Sequence, residues 1–221
     1  EPGDWSSDVC SSDLDSKLHS RYVEQLVFSM LKHIFPETSS ILSLSDSPDL
    51  QAEDKSLGIE ITEAISPKIA QIDGEYAKLR FGKKEKHEKE KCKRLIETNG
   101  GKVDMIGISY PVTNAKAEWD IFSSALRKKM KLLPSYKEKG FKEIGLFILF
   151  NEPPIPFNPQ IGMERFAEIQ KESIYQYDFL LFGYRNGIIS YDFHKMNYDI
   201  YTIDPETFDN MSSNARKIVE G

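Results

Sequence analysis

Apolar residues near the start of the chain recur at helical spacing: Leu18, Tyr22, Leu26, Met30 and Ile34 fall on one line, with Val23, Val27 and Leu31 beside them. That pattern predicts an amphipathic helix from Lys17 to about Phe35 with a broad buried face, and Pro36 marks its exit. Thr38 to Ser47 is polar and Ser-rich and reads as a linker. The period then changes. Ser47-Pro48-Asp49-Leu50 and Leu57-Gly58-Ile59-Glu60-Ile61-Thr62-Glu63-Ala64 read as two extended segments. The charged triplet Glu53-Asp54-Lys55 between them suits a hairpin turn, so the two strands should be antiparallel neighbours.

Pro67 to Thr98 returns to helical spacing, apolar at Ile69, Ile72, Tyr76 and Leu79, then almost wholly charged from Lys83 to Lys93. Asn99-Gly100-Gly101 stops it. Val103 to Tyr110 reads as a strand closed by Pro111. Trp119 to Lys137 predicts a second amphipathic helix, with Trp119, Phe122, Leu126, Met130 and Leu133 down one side. The unbroken apolar run Ile144 to Phe150 predicts a central strand covered on both faces. Asn151 to Ile161 carries four prolines and reads as a rigid surface loop, a wall for a cleft. Beyond it come a helix over Met163 to Ser173 and a hairpin of Asp178–Tyr184 with Ile188–Phe193 around an Asn-Gly turn signal. A short strand at Asp199–Ile203 follows, then a terminal helix opened by the N-cap Asp204 and Pro205. Strands interleaved with helices make this an α/β (α+β) chain.

At 221 residues the chain suffices for one sizeable core. Residues 1–14 lack any apolar period, and residues 3–14 resemble a translated sequencing adapter, so they are set apart as a non-native segment expected to be disordered. Without them the formal charge moves from -6 to -2, because Glu1, Asp4, Asp8 and Asp13 account for four of the 35 acids and no Lys or Arg is lost. A nearly neutral chain does not advertise nucleic-acid binding by bulk charge; local patches decide it. The strongest patch spans Lys78 to Arg94, with nine Lys or Arg against three Glu. It serves either as a solvated helix face laced with i,i+4 pairs or as a phosphate-facing arm. One cysteine, Cys92, remains, which excludes an internal disulfide and fits a reducing compartment, the cytoplasm. No stretch has membrane-span length. The lack of an initiator Met near Asp15 implies that the native N-terminus is missing.

The acids on the two strands carry the chemistry. A carboxylate amid Ile59 and Ile61 needs a cation, a base or water, since an unpartnered buried ion costs several kcal/mol. Alternation puts Glu60, Thr62 and Ala64 on one face. Converging there with Asp49, Glu60 makes a hard oxygen site suited to Mg²⁺.

Pro48-Asp49 followed by Glu60-Ile61-Thr62 resembles the PD-(D/E)XK nuclease superfamily. The likeness covers roughly Lys17 to Phe150, in a subgroup with Glu-x-Thr in place of Glu-x-Lys. It implies a single domain over 15–221 with a restriction-endonuclease-like core (17–150): a central mixed four-stranded sheet flanked by helices, with one inserted charged helix. Residues 151–221 would add a hairpin and helix extension. It further implies a Mg²⁺ (or Mn²⁺) ion held by Asp49, Glu60 and the Ile61 carbonyl, with Glu24 on the first helix in support. The product would be a cut phosphodiester in DNA, less readily RNA.

Thr62 departs from the usual lysine. The run from Ile121 to Tyr136 resembles the helix that supplies the missing charge in such relatives, through Lys129 or Lys128, which lie about 100° apart on a helix. Lys83, Lys84, Lys86 and Lys131 are the candidate nucleic-acid contacts. A homodimer is compatible with this expectation, a membrane partner is not. The rival expectation is a nuclease-fold binding or assembly module without turnover.

Overall fold

The first helix forms as its spacing dictates: α1 (Ser16–Ile34) buries Tyr22, Val23, Leu26, Val27, Met30 and Leu31. The computed structural model describes residues 16–81, 85–104, 107–111, 115–150 and 158–221; Lys83, Lys84, residues 1–14 and the loop residues 151–157 lie outside them. Pro36 does more than end α1, because it sits in the first turn of a short helix, α2 (Pro36–Ser40). The supposed linker after it holds a strand, β1 (Leu42–Leu44). This strand pairs antiparallel with β2 (Leu50–Ala52), which pairs antiparallel with β3 (Leu57–Glu63).

The insertion after β3 is more than one charged helix. It comprises α3 (Pro67–Phe81), α4 (Lys86–Thr98) and a small hairpin of β4 (Lys102–Val103) and β5 (Ile108–Ser109). Val103–Tyr110 is therefore no strand of the main sheet: Asp104 Oδ1 accepts the Gly107 N–H at 2.9 Å and turns the chain back. Ile72, Tyr76 and Ile96 form a small core there, joined by Leu79, Val103 and Ile108. The chain divides into two compact units, one of residues 1–19 and 66–113, the other of residues 20–65 and 114–221.

In the larger unit α5 (Ala115–Met130) and α6 (Leu133–Glu138) lead to β6 (Glu143–Phe150). Then come α7 (Pro159–Gln170), β7 (Phe179–Tyr184), β8 (Gly187–Asp192), β9 (Asn197–Thr202) and α8 (Pro205–Glu220). The main sheet has seven strands, not four, in the order β1-β2-β3-β6-β7-β8-β9. Strand β6 is parallel to both β3 and β7, and the rest of the ladder is antiparallel. The C-terminal segment therefore widens the same sheet instead of forming a separate hairpin appendage. The turn between β7 and β8 is Arg185-Asn186, with Gly187 already in the strand. At the last helix Asp204 Oδ1 accepts the Thr207 N–H at 2.8 Å, the cap expected from Asp-Pro-Glu.

Helices flank this mixed sheet. Leu146, Ile148 and Phe150 of β6 pack with Phe122, Leu126 and Met130 of α5, Leu133 and Tyr136 of α6, and Met163, Phe166 and Ile169 of α7. Two glycines let aromatic rings lie flat on the strands. A Cβ at Gly145 would fall 2.1 Å from the Phe179 ring, and one at Gly183 would fall 2.4 Å from the Phe147 ring. Gly145→Ala and Gly183→Ala should each lower stability by about 1–3 kcal/mol through overpacking, read as a drop in the urea midpoint at unchanged slope. None of the described helices is long and apolar enough to cross a membrane.

Candidate active site

Register decides which side chains meet. Leu50 lies across from Ile59 and Gln51 across from Gly58. One step further along the antiparallel pair brings Asp49 opposite Glu60, and directly opposed residues project to the same face. On the other side of β3, Glu60 is in register with Leu146 and Thr62 with Ile148. Leu146 and Ile148 face α5, α6 and α7, so Glu60 is aimed into the layer beneath the first two of these helices.

Glu60 is 3 % exposed, and its carboxylate is satisfied by two donors from that layer. Lys129 Nζ lies 2.5 Å from Oε1. The Tyr136 hydroxyl donates to Oε2. Burying a carboxylate is tolerable only when both oxygens are so engaged. The end of α5 is itself held: the Tyr177 hydroxyl donates to the Lys129 carbonyl at 3.0 Å. Burial, then the hydrogen bond to Glu60, pushes the Tyr136 phenol far above its ordinary range, so it stays a neutral donor.

Asp49 Oδ2 accepts the Ile61 N–H at 2.6 Å, which ties the end of β2 to the centre of β3. Burial and the Glu60 charge push its carboxyl up to about 6, against the Ile61 hydrogen bond and Lys129, which pull it down. Lys139 braces the approach to Asp49 by donating to the Ser47 carbonyl at 3.0 Å and to Ser47 Oγ at 2.9 Å. Glu24, half-buried on α1, is held above the usual carboxylate range by burial first and next by Asp46; it also feels Arg21, Lys129 and Glu60.

Among the described residues no three His, Cys, Asp or Glu side chains stand close enough to enclose a metal ion. Asp49, Glu60 and the Ile61 carbonyl are an all-oxygen set that would suit a hard cation completing its shell with water. Mg²⁺ is bound in that way, through one or two carboxylates plus substrate phosphate, whereas a caged Ca²⁺ needs more protein oxygens. The donor set therefore fits Mg²⁺ or Mn²⁺ and not a closed structural site.

The fold brings Asp49, Glu60, Lys129 and, at longer range, Glu24 to one place. Thr62 is partly buried on the Glu60 face and brings no charge; the positive charge beside Glu60 is that of Lys129. Lys128 is exposed and makes no contact with the acids, so of the two lysines Lys129 is the one at the site. Lys131 is exposed in the larger unit and Lys86 is exposed on α4 in the smaller one.

Tyr136 closes the run that begins at Ile121 but has no role of its own in the sequence pattern, and Tyr177 and Asp46 lie outside that pattern. Tyr136 sits past the break between α5 and α6, where helical counting from Lys129 no longer applies. Tyr177 lies just before β7 among several tyrosines that read equally well as strand aromatics. Comparison of the chain with protein-family models, with curated proteins and with solved structures returns no match.

Proposed function

We propose that the chain is a metal-dependent nuclease that hydrolyses phosphodiester bonds, in DNA rather than RNA, on a restriction-endonuclease-like core. The observation that carries this is Lys129 Nζ at 2.5 Å from Glu60 Oε1, with Asp49 across the strand pair. Two acids and a lysine are the constellation expected from Pro48-Asp49 and Glu60-x-Thr62, with the lysine arriving from a helix. The order of elements supports it: helix α1, antiparallel β1-β2-β3, helices α5 and α6, then β6 parallel to β3. These four strands form a mixed sub-sheet at one side of the seven.

In this proposal Asp49, Glu60 and the Ile61 carbonyl hold Mg²⁺ or Mn²⁺, with Glu24 in outer support. A bound divalent ion supplies Lewis acidity toward the phosphoryl oxygen and a more acidic water. Asp49 and Glu60 fix where that charge sits, and their own positions are fixed by the Ile61 N–H and the Tyr136 hydroxyl. Lys129 offers its ammonium to charge developing on the phosphoryl oxygens or orients the attacking water. Exposed Lys131 and Lys86 are candidate backbone contacts, each removing one phosphate charge and steepening the salt dependence. A cytoplasmic setting agrees with Cys92, which is buried and forms no disulfide among the described residues.

A binding module without turnover is the second reading, favoured by the engagement of both Glu60 oxygens and by Thr62. Incubation with single- and double-stranded DNA and RNA, first with Mg²⁺ or Mn²⁺ and then with chelator, separates the two. A nuclease cuts only with metal; retention of intact nucleic acid under both conditions would leave the binding module and remove the enzyme.

A further inference from the structure

The two donors on Glu60 differ in what they are able to do when a cation arrives. Tyr136 is 1 % exposed, its ring packed within the cluster that holds Leu133, Phe141, Ile144 and Leu146. Buried on all sides, the ring has few rotamers open to it, so its hydroxyl is fixed in place. Lys129 reaches Glu60 on a flexible four-carbon stem, and its side chain keeps 19 % exposure, which leaves it a way out. A divalent ion approaching Glu60 repels the ammonium and has no such quarrel with a neutral phenol.

From this asymmetry we infer that Tyr136 is a positioning residue for the metal site: it holds Glu60 Oε2 so that Oε1 is the oxygen that exchanges Lys129 for a divalent cation. The inference rests on the proposal that Asp49 and Glu60 bind that cation. It adds which oxygen changes partner, and it gives Lys129 two stations, one on Glu60 and one released toward substrate. Without the Tyr136 hydroxyl the Glu60 carboxylate is free to turn, offer both oxygens to Lys129 and keep the ion pair against the metal. A side chain that only filled the core would have no such effect on metal affinity. Hydrogen-bonding partners of metal ligands typically change affinity by about 10–100-fold when removed.

The test is direct titration of the full chain with Mn²⁺, with no nucleic acid present, for the wild type, Tyr136→Phe, Asp49→Asn and Glu60→Gln. Tyr136→Phe should weaken Mn²⁺ binding by about tenfold or more, and Asp49→Asn and Glu60→Gln should lose it. If both carboxylate variants bind Mn²⁺ as the wild type does, the metal site itself is wrong. If they lose binding while Tyr136→Phe stays within about twofold of the wild type, the metal site stands and the role of Tyr136 falls. Should Tyr136→Phe not fold, 3-fluorotyrosine placed at position 136 of the otherwise wild-type chain reports instead. Its ¹⁹F resonance should shift with Mg²⁺ and saturate with the directly measured Kd. A resonance unmoved at saturating Mg²⁺ overturns the inference.

Discussion

Asp49→Asn should abolish metal-dependent cleavage and at the same time make the metal-free protein more stable at neutral pH. The first half follows from losing one of two anionic ligands, and Asp49→Ala and Glu60→Ala should share it; undiminished cutting by any of them would remove the assignment. The second half follows from the environment of Asp49, whose carboxyl is pushed up to about 6 from 3.8 by burial and by the Glu60 charge. Because the folded value lies above the unfolded one, the folded chain holds the proton more tightly. The associated stability is complete below about pH 4 and is lost as pH rises through about 6. A shift of that size corresponds to about 3 kcal/mol at full effect, and partial exposure reduces it to about 1–2 kcal/mol. Asparagine keeps an oxygen for the Ile61 N–H and carries no charge to desolvate.

Thermal unfolding in chelator from pH 4 to pH 7 should therefore show the Asn variant drawing ahead of the wild type as pH rises, by about 2–4 °C for each kcal/mol. A variant less stable than the wild type at pH 7 would contradict the buried, coupled placement of Asp49. The same proton competes with the metal, so wild-type affinity for Mg²⁺ should fall below about pH 6, approaching about tenfold per unit.

Lys129→Ala should lose cleavage by about 10²–10³-fold and destabilise the protein, whereas Lys128→Ala should do neither. Glu60 is buried, and removing the ammonium leaves its charge facing only the Tyr136 hydroxyl. Taking one partner from such a pair costs about 3–5 kcal/mol, and the partial exposure of Lys129 places this case toward the lower figure. The catalytic loss is of the size seen when a preorganised charge is withdrawn from a developing anion. Mg²⁺ should recover more stability in the Lys129→Ala variant than in the wild type, because it fills the place of the lost ammonium. Lys128 is exposed and should change unfolding by no more than about 0.5 kcal/mol. Loss of cleavage in Lys128→Ala with full cleavage in Lys129→Ala would reverse the assignment.

Local pattern sufficed for much of the chain. The 3.6-residue spacing of α1, the apolar run of β6 and the Asp-Pro-Glu start of α8 all form where the side chains say they should. These elements are legible because their burial is periodic within one segment. Strand β1 was not, since Leu42-Ser43-Leu44 lies in a Ser-rich run and becomes a strand only by hydrogen bonding to Leu50–Ala52. Val103–Tyr110 errs the other way: Val103 and Ile108 join a small core of α3 and α4. The width of the sheet was equally out of reach, because the parallel pairing of β6 with β7 links segments separated by a whole helix.

The sequence by itself determined that Asp49 and Glu60 belong to neighbouring extended segments joined by a turn, and the register of β2 on β3 set them opposite one another. Only the tertiary structure chose Lys129 over Lys128, brought Tyr136 to the second oxygen of Glu60 and set Tyr177 beneath the end of α5. Those contacts join residues 48 to 76 positions apart. A periodicity extends only as far as its own segment, whereas the meeting of distant side chains depends on register between strands and on the path of the helices that cross over them.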